Sequence, residues 1–425
     1  MNAVSTPLSD WLARLETLSV REIDLGLERV ERVLTRLALP RLQRVIHVAG
    51  TNGKGSSALM LESLLKNTGS RVGCYTSPHV IRYNERIRVD GEEADDEQII
   101  AAFERIEAVR DGEALTYFEF GTLAALVVFA DADVDVAVLE VGLGGRLDAV
   151  NAIEPDAGLI TNIALDHCDW LGDDVETIAL EKAGIMRGKK PIVFGSHEIP
   201  QAIIKHADHI GASLLAAGRD FDWSADGDHW SWQGAVHRLA GLDRPALAGE
   251  HQIGNAAAVL ALLEAVGLTE LLEVGIVNRS MGQLHLDGRM QEIDAGALWL
   301  LDVAHNPAAA RALAATLGAE AYTGQTVAIL GMLDDKDVAA CVSHLQGGVD
   351  HWIAVTADSP RAIAAGELAR QVANATNMAC LVADSLDVAI SRAQQLTQPG
   401  DRVLVTGSFY LVGPVLNQLY SRRQS

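Results

Sequence analysis

The feature that most constrains this sequence is a glycine-rich stretch between an apolar run and a helical pattern. Residues 45–49 are largely apolar, Gly50 and Gly53 follow, and a helical pattern extends to residue 66. Glycine permits positive φ angles and a close approach of the backbone to a ligand. The amino end of the helix would aim unpaired N–H groups and a positive dipole at an anion. The stretch therefore predicts a β-loop-α unit whose loop binds phosphate.

Lys54 supports this prediction, although the pattern is imperfect. A lysine here would place a point charge between phosphate oxygens. In the usual pattern, G-x-x-x-x-G-K-[ST], the first glycine would stand where this chain has Val48, and Gly55 separates Lys54 from Ser56. The alternative is an ordinary tight strand-to-helix turn. We favour phosphate binding, because Asn-Gly-Lys-Gly is a poor helix start unless a ligand needs the bare backbone.

An alternation of strands and helices predicts the fold class. Helices are expected over residues 8–38, and strands are expected at residues 45–48, 71–76, 134–141, 159–163 and 191–194. The run at 134–141 is almost continuously apolar, which is typical of a strand buried on both faces. We therefore expect an α/β domain with a doubly wound, mainly parallel sheet that binds ligands at the carboxyl ends of its strands.

The length of 425 residues suggests two or three domains. Residues 284–289 look like a linker, and new strands are expected at residues 298–301, 326–330, 351–355 and 402–405. We expect a first domain over residues 1–285 and a smaller, Rossmann-like α/β domain over residues 286–425. Trp223, Trp230 and Trp232 surround a turn signal at residues 226–228, which indicates a small antiparallel insert in the first domain.

Charge and composition exclude several classes of partner. A formal net charge of −23 argues against nucleic acid, which is bound through clustered Lys and Arg. No apolar run approaches the length of a membrane span, and charged residues interrupt the N-terminus where a signal peptide would be apolar. We expect a cytoplasmic monomer. The four cysteines are widely spaced, so neither a disulfide framework nor a thiolate zinc site is indicated.

Glu140 is a candidate magnesium ligand. It ends the apolar run at 134–141 and precedes a second glycine-rich stretch that extends to Asp148. Magnesium takes oxygen ligands and bridges nucleotide phosphates, so a carboxylate beside a phosphate loop suits it. The alternative is an ion pair with Arg146. Ser77 could add a hydroxyl oxygen, whereas His167 on its own would suit zinc better than magnesium.

Lys182 lies in a predicted helix among mostly apolar neighbours, where a charged amine would be costly without a partner. The alternative is a solvated lysine paired with Glu181.

In the second domain, Asp302 follows a strand and His305 precedes a helix. Asp302 could hold a ribose hydroxyl, and His305 could contact a nucleotide or an acceptor. Alternatively, Asp302 or Asn306 caps the helix that follows.

Together these stretches resemble the folylpolyglutamate synthase and dihydrofolate synthase family, within the Mur ligase superfamily of ATP-dependent amide-bond-forming enzymes. The motifs occur in one order over nearly the whole chain, at residues 50–56, 76–79, 85–87, 140–148, 166–167, 181–184, 254–255, 288–289, 302–307 and 407–408. Residues 23–30 resemble bacterial bifunctional members.

The resemblance implies a set of site residues for ATP, two Mg²⁺ ions and the substrates. The implied nucleotide contacts are Gly50, Thr51, Asn52, Gly53, Lys54, Gly55, Ser56, Ser57, Asn255, Arg289, Asp302 and His305. The implied metal ligands are Ser77, Glu140 and His167. The implied substrate contacts are Arg86, Arg146, Asp148, His305 and Ser408. Lys54, Lys182 and His305 would be catalytic, and Lys182 matches a lysine that family members carboxylate with CO₂.

The implied reaction is addition of L-glutamate to dihydropteroate and to folates through an acyl phosphate. One alternative is folylpolyglutamate synthase activity alone. A second is a Mur-type cell-wall ligase, although such enzymes usually have Thr after the loop lysine, where this chain has Gly55. The third is a nucleotide-dependent switch protein, in which the stretch 302–307 would have no evident use.

Overall fold

The computed structural model describes residues 6–18, 24–319 and 322–423. Ile23, at which the segment resembling bifunctional family members begins, lies outside the described residues. The chain divides into two compact units. The first comprises Met1–Ile163, Val175–Pro245 and Ile253–Leu284, and the second comprises Ala164–Asp174, Ala246–Gln252 and His285–Ser425. Two short segments from the first two thirds of the sequence therefore pack with the C-terminal part of the chain.

The first unit is built on a mainly parallel sheet. Its strands are β1 (Arg44–Ala49), β2 (Val72–Tyr75), β3 (Ile87–Val89), β4 (Glu92–Glu93), β5 (Val136–Glu140), β6 (Ala157–Ile160), β7 (Pro191–Phe194) and β8 (Ser213–Ala216). Within the described part of the chain they are ordered β4-β3-β2-β5-β1-β6-β7-β8. Only β3 and β4 run antiparallel to their neighbours. Three more strands, β9 (Asp222–Asp226), β10 (His229–Gln233) and β11 (Arg238–Asp243), form a small antiparallel sheet.

The helices up to residue 284 are α1 (Pro7–Leu18), α2 (Glu28–Leu37), α3 (Lys54–Leu65), α4 (Asp96–Val109), α5 (Tyr117–Asp131), α6 (Cys168–Leu171), α7 (Val175–Ala183), α8 (Gln201–Ile210), α9 (His251–Ala265) and α10 (Val274–Gly282). Local sequence explains where several of them begin. Asp95 and Gln98 form a capping box at α4, and Thr116 and Glu119 form another at α5. Such caps satisfy N–H groups that have no partner within the helix.

The second unit contains a mixed sheet and its own helices. Its strands are β12 (Gln291–Asp294), β13 (Leu298–Leu301), β14 (Thr326–Leu330), β15 (His351–Val355), β16 (Cys380–Ala383) and β17 (Arg402–Thr406), in the order β12-β13-β17-β14-β15-β16. In the described part of this unit, β12 lies at one edge and is antiparallel to β13, and the other neighbouring strands are parallel to one another. The helices are α11 (Pro307–Gly318), α12 (Val338–Leu345), α13 (Ala365–Thr376), α14 (Leu386–Leu396) and α15 (Phe409–Arg423).

These architectures confirm the predicted fold class. Buried strands are the best predicted elements: β7, β13, β14 and β15 have the expected bounds to the residue. The antiparallel insert is also present, and Trp230 and Trp232 are buried in it. The sequence did not predict β3, β4, β8, β12 and β16. Of these, β4, β8, β12 and β16 are edge strands, and β16 leaves Leu381 and Val382 exposed. An edge strand lacks the continuous apolar pattern of a strand buried on both faces.

Candidate active site

The loop between β1 and α3 has the glycine conformations that a tight turn requires. Gly50 has a φ of 148° and Gly53 a φ of 82°. A Cβ atom on Gly50 would lie 1.8 Å from Thr161 Oγ1, and one on Gly53 would lie 2.6 Å from Asn255 Oδ1. The two glycines therefore let the loop pack directly against the residue after β6 and against α9. Asn255, a predicted nucleotide contact, is brought to the loop in this way.

The amino end of α3 faces the same loop. The first helical hydrogen bond is donated by the Ser57 N–H to Gly53 O at 2.9 Å. The N–H groups of residues 54–56 precede this bond, so they point out of the helix end. Lys54 Nζ donates to Thr51 O at 3.2 Å, which keeps its charge at the loop. This arrangement has both the donors and the positive charge that an anion needs.

Glu140 lies beside the loop because its strand pairs with β1. The register places Val48 opposite Glu140, which is buried, and Glu140 Oε2 accepts the Ser77 N–H at 3.0 Å. Arg146, the alternative partner, instead places Nη2 2.8 Å from Glu181 Oε1. Among the described residues, no group of three or more His, Cys, Asp or Glu side chains could hold a metal by itself. The Glu140 carboxylate beside the loop is the kind of oxygen ligand that magnesium takes, and the roles of Glu140 and Ser77 as metal ligands stay predictions.

Asp148 shapes the second glycine-rich loop, residues 142–148. Its carboxylate accepts the Leu143 N–H at 2.8 Å and the Val150 N–H at 3.0 Å. Burial raises the pKa of Asp148 to about 7, against the lowering effect of backbone hydrogen bonds and of the Lys54 charge. These bonds hold the loop in place, and a contact between Asp148 and substrate stays a prediction.

Lys182 is buried and extends from α7 to the phosphate loop. Its Nζ donates to Gly50 O at 2.9 Å. Its neighbour Glu181 binds the second loop, because Glu181 O accepts the Arg146 N–H at 2.9 Å and the two side chains form an ion pair. A Cβ atom on Gly184 would lie 2.4 Å from Arg146 Cβ. Close packing of α7 on this loop therefore fixes the position from which Lys182 extends.

Asn151 joins these two elements, and the sequence did not reveal it. Its Nδ2 donates to Arg146 O at 3.0 Å and to Gly184 O at 3.1 Å. Its Oδ1 accepts Arg187 Nη2 at 3.0 Å. The only available signal was its position three residues after the glycine-rich motif that ends at Asp148.

Arg86 is buried among aromatic rings. Its Nε donates to His79 Nδ1 at 2.8 Å, and its guanidinium carbon lies 5.3 Å from the ring centre of Tyr83 and 5.5 Å from that of Tyr117. Burial, together with the Arg86 charge, lowers the pKa of His79 to about 3. His79 is therefore neutral and accepts at Nδ1, so Nε2 carries its hydrogen. A contact between Arg86 and substrate stays a prediction.

In the second unit, Asp302 follows β13 and accepts two backbone N–H groups. They come from Ala304 at 2.8 Å and Met290 at 2.9 Å. Burial raises the pKa of Asp302, while the charge of Arg289 lowers it. Asn306, and not Asp302, caps α11, because its Oδ1 accepts the Ala309 N–H. Asp302 therefore does not cap α11, and its predicted contact with a ribose hydroxyl stays a prediction.

The residues after β17 gather three predicted contacts around one aromatic ring. The guanidinium of Arg289 lies 5.3 Å from the ring centre of Phe409, and the His305 ring centre lies 5.9 Å from it. Ser408 immediately precedes Phe409, and its Oγ accepts the Tyr410 N–H at 3.1 Å. The structure thus brings Arg289, His305 and Ser408 together.

His305 is held by the backbone and faces a carboxylate. Its Nδ1 lies 2.8 Å from Val303 O, which can only accept, so Nδ1 carries a hydrogen. Its Nε2 lies 3.5 Å from Asp166 Oδ2, which also accepts Asn306 Nδ2 at 2.9 Å. Burial opposes ionisation of Asp166, but its hydrogen bond with His305 and nearby positive charges hold its pKa well below the usual range.

Three charged residues at this position were missed from the sequence: Asp335, Lys336 and Arg361. Lys336 Nζ lies 2.6 Å from Asp166 Oδ1 and 3.2 Å from Asp335 Oδ2. Arg361 Nη2 lies 2.9 Å from Asp335 Oδ1. His167 Nδ1 is 3.7 Å from Asp335 Oδ2, so this predicted metal ligand lies in the second unit beside the cluster. The signal that could have revealed Asp335 and Lys336 is the charged run that follows β14, whereas Arg361 lies outside that run.

Comparison with known proteins identifies the family. The Mur ligase middle domain matches residues 48–263, and the glutamate ligase domain of Mur ligases matches residues 288–409. The chain is 41% identical over 420 residues to the dihydrofolate synthase/folylpolyglutamate synthase of Escherichia coli strain K12, covering 99% of this chain and 97% of that protein. The chain belongs to the dihydrofolate synthase/folylpolyglutamate synthase family.

Solved structures of this family have the same fold. The E. coli FolC structure in complex with DHPP and ADP aligns with a TM-score of 0.91 and 41% identity, covering 99% of each chain. A bifunctional folylpolyglutamate synthase/dihydrofolate synthase with Mn, AMPPNP and L-glutamate bound aligns with a TM-score of 0.89 and 41% identity, covering 98% of each chain. These family structures contain ATP-derived or ATP-like nucleotides, and one contains a divalent metal, as expected for ATP-dependent ligases.

In the described ranges, no helix is both long enough and apolar enough to cross a membrane.

Proposed function

We propose that this protein joins L-glutamate to the carboxylate of dihydropteroate and of folates, converting ATP to ADP and phosphate. The observation that carries the proposal is the grouping of Lys54, Glu140 and Lys182 around one phosphate loop. The high coverage of family members by this chain supports the substrate class.

Two steps with one intermediate account for the reaction. An oxygen of the acceptor carboxylate attacks the γ-phosphorus of ATP, the bond to the bridging oxygen breaks, and ADP leaves. The resulting acyl phosphate is attacked at its carbonyl carbon by the neutral amine of glutamate. Phosphate then leaves, and the proton of the new amide nitrogen passes to a base or to water.

The residues of the first unit would act on the phosphoryl transfer. The amino end of α3 and Lys54 would hold the phosphates and reduce the charge that develops on the transferred group. When bound, Mg²⁺ would add positive charge at the same oxygens. We propose Ser77 and Glu140 as ligands of the two ions that the family resemblance implies, and His167, which belongs to the second unit, as a further ligand.

The second unit would supply the nucleotide and glutamate contacts that the family resemblance implies. We propose that Asp302 and Arg289 contact the nucleotide, and that His305 and Ser408 contact the incoming glutamate. Support comes from the arrangement of Arg289, His305 and Ser408 around Phe409.

Phosphate release under four conditions tests the function. Purified protein with MgATP is given no acceptor, dihydropteroate alone, L-glutamate alone, or both, and the products are identified by mass spectrometry. We expect phosphate and a product heavier by one glutamyl residue only when both are present. Steady phosphate release without acceptor would favour a nucleotide-dependent switch protein instead.

A change of acceptor separates the remaining alternatives. Dihydropteroate measures dihydrofolate synthase activity, and a reduced folate measures folylpolyglutamate synthase activity. We expect both to be glutamylated. Reaction with the folate alone would restrict the proposal to the second activity, and reaction with a cell-wall nucleotide would favour a Mur-type ligase.

We also propose that the protein is a monomer and that its domains comprise residues 1–285 and 286–425. Sedimentation velocity should give the mass of one chain, and limited proteolysis should cut near residue 285 first. A dimer mass or a first cut elsewhere would contradict these proposals.

A further inference from the structure

The two residues after β6, Thr161 and Asn162, form an extensive set of contacts with the phosphate loop. Thr161 Oγ1 donates to Asn52 O at 2.6 Å, and it also occupies the space where a side chain on Gly50 would lie. The backbone oxygen of Asn162 accepts the Thr51 N–H at 2.9 Å. The loop is therefore held by residues that follow a different strand, β6.

The side-chain amide of Asn162 forms hydrogen bonds with both backbone polar groups of Asn52. Its Oδ1 accepts the Asn52 N–H at 3.1 Å, and its Nδ2 donates to Asn52 O at 2.9 Å. Only an amide offers an acceptor and a donor in this arrangement, so the pairing also fixes the orientation of the amide. An aspartate of the same shape would keep the first bond but turn an oxygen toward Asn52 O.

These bonds determine which loop donors face a phosphate. The N–H groups of Thr51 and Asn52 are both donated to Asn162. Phosphate contacts from the backbone are therefore expected from the donors that follow, at the amino end of α3. Hydrogen bonds to both the N–H and the C=O of Asn52 fix its backbone. They thereby also fix the position of Gly53 and of the start of α3 with respect to β6.

We propose that Asn162, assisted by Thr161, is a positioning residue that holds the phosphate loop in its nucleotide-binding shape. The inference rests on the proposed function, because it assumes that ATP phosphates bind at this loop. Glycine gives the loop freedom to adopt other conformations, and ordering it would reduce the affinity for nucleotide. Asn162 removes that freedom before the nucleotide arrives.

The test measures MgADP affinity by calorimetry, together with the KM for ATP and kcat, in four variants. Asn162→Asp should weaken MgADP binding about tenfold to a hundredfold, because it removes a donor and creates a repulsive contact. Thr161→Val should weaken it about threefold to tenfold, and Thr161→Ser, which keeps the hydroxyl, should restore the affinity. For both weakened variants, the KM for ATP should rise by a larger factor than kcat falls.

Asn278→Asp is the matched control. Asn278 makes the same kind of contact in the same unit, because it accepts the Asp243 N–H at 3.0 Å and donates to Asp243 Oδ2 at 2.8 Å. It joins α10 to β11 and is not part of the phosphate loop. Its aspartate variant should lose stability but keep the wild-type affinity for MgADP.

Three results would overturn the proposal. If Asn162→Asp lowers the melting temperature as the control does and keeps the wild-type MgADP affinity, Asn162 is only structural. If Asn162→Asp does not fold, equal affinities of Thr161→Val and Thr161→Ser decide against the positioning role. If the wild-type protein itself does not bind MgADP, both the positioning role and the proposed function are wrong. The first two results contradict only the positioning role, so the two kinds of failure can be distinguished.

Discussion

Replacement of Gly184 by alanine is the sharpest test of how α7 and the second glycine-rich loop are packed. The added Cβ would lie 2.4 Å from Arg146 Cβ, 2.5 Å from Arg146 Cα and 2.9 Å from Arg146 N. Carbon atoms in contact are normally about 3.5–4.0 Å apart, so the helix and the loop must separate by about 1 Å or more. No side-chain rotation can relieve the contact, because these atoms belong to or adjoin the backbone.

The magnitude follows from two contributions. Overpacking of this kind costs about 1–3 kcal/mol. Separation would also weaken the two hydrogen bonds that Asn151 Nδ2 donates to Arg146 O and Gly184 O, at about 0.5–1.5 kcal/mol each. The loss of unfolding free energy is therefore about 2–6 kcal/mol. At about 2–4 °C per kcal/mol, the melting temperature should fall by roughly 4–24 °C.

Activity should fall as well, because Lys182 lies two residues before Gly184 and its Nζ contacts Gly50 O. Misplacement of a positioned group by about 1 Å can cost on the order of a hundredfold in rate. We expect kcat for glutamate addition, measured by phosphate release below the melting temperature, to fall by about that factor.

The matched control is Gly282→Ala, which adds the same methyl group in the first unit where no heavy atom lies within 4 Å. It should retain the wild-type melting temperature and kcat. If Gly184→Ala behaves like Gly282→Ala in both measurements, α7 does not pack on the loop as described.

Four further perturbations test individual groups. Lys54→Ala should abolish turnover with little change in melting temperature, and an active variant at saturating ATP would contradict the phosphate-loop assignment. Glu140→Gln should raise the Mg²⁺ concentration needed for half-maximal activity and lower kcat, since the amide keeps the shape but loses the charge; a wild-type Mg²⁺ titration would leave Glu140 a structural role. Lys182→Ala should be nearly inactive and partly rescued by acetate or formate if Lys182 carries a carbamate, whereas rescue by a small amine would indicate an unmodified lysine. His47 is fully buried in β1, and burial, with the Arg187 charge, lowers its pKa to about 3. In the unfolded chain, His47 binds a proton more readily than in the folded protein. The free energy of unfolding should therefore decrease as pH falls from about 6.5 toward 3, by up to about 1.4 kcal/mol per pH unit. Urea unfolding at pH 7.5 and pH 5 should show a smaller loss for His47→Leu, and equal losses would refute this account.

Much of the fold was predictable because its signals are local. The loop has positive φ angles at Gly50 and Gly53, which other residue types would adopt only with strain. The apolar runs of β5, β7 and β14 reflect burial on both faces. The glycine-rich loops also indicate where the candidate site of the first unit lies. Lys54 could therefore be proposed from the sequence as a phosphate contact, and Glu140 as a magnesium ligand.

What the sequence could not provide was the set of residues that hold these groups in position. Asn162 pairs with Asn52 across 110 residues, and Lys336 contacts Asp166 across 170 residues. No periodicity or local spacing encodes such a pairing, because an asparagine after a strand and a lysine in a charged run are common on any protein surface. Their roles are decided only when parallel strands bring their carboxyl ends to one edge of a sheet, where distant loops meet and form hydrogen bonds with one another. The sequence by itself thus determined the loops and the chemistry they carry, and the tertiary structure decided which distant side chains keep those loops in shape.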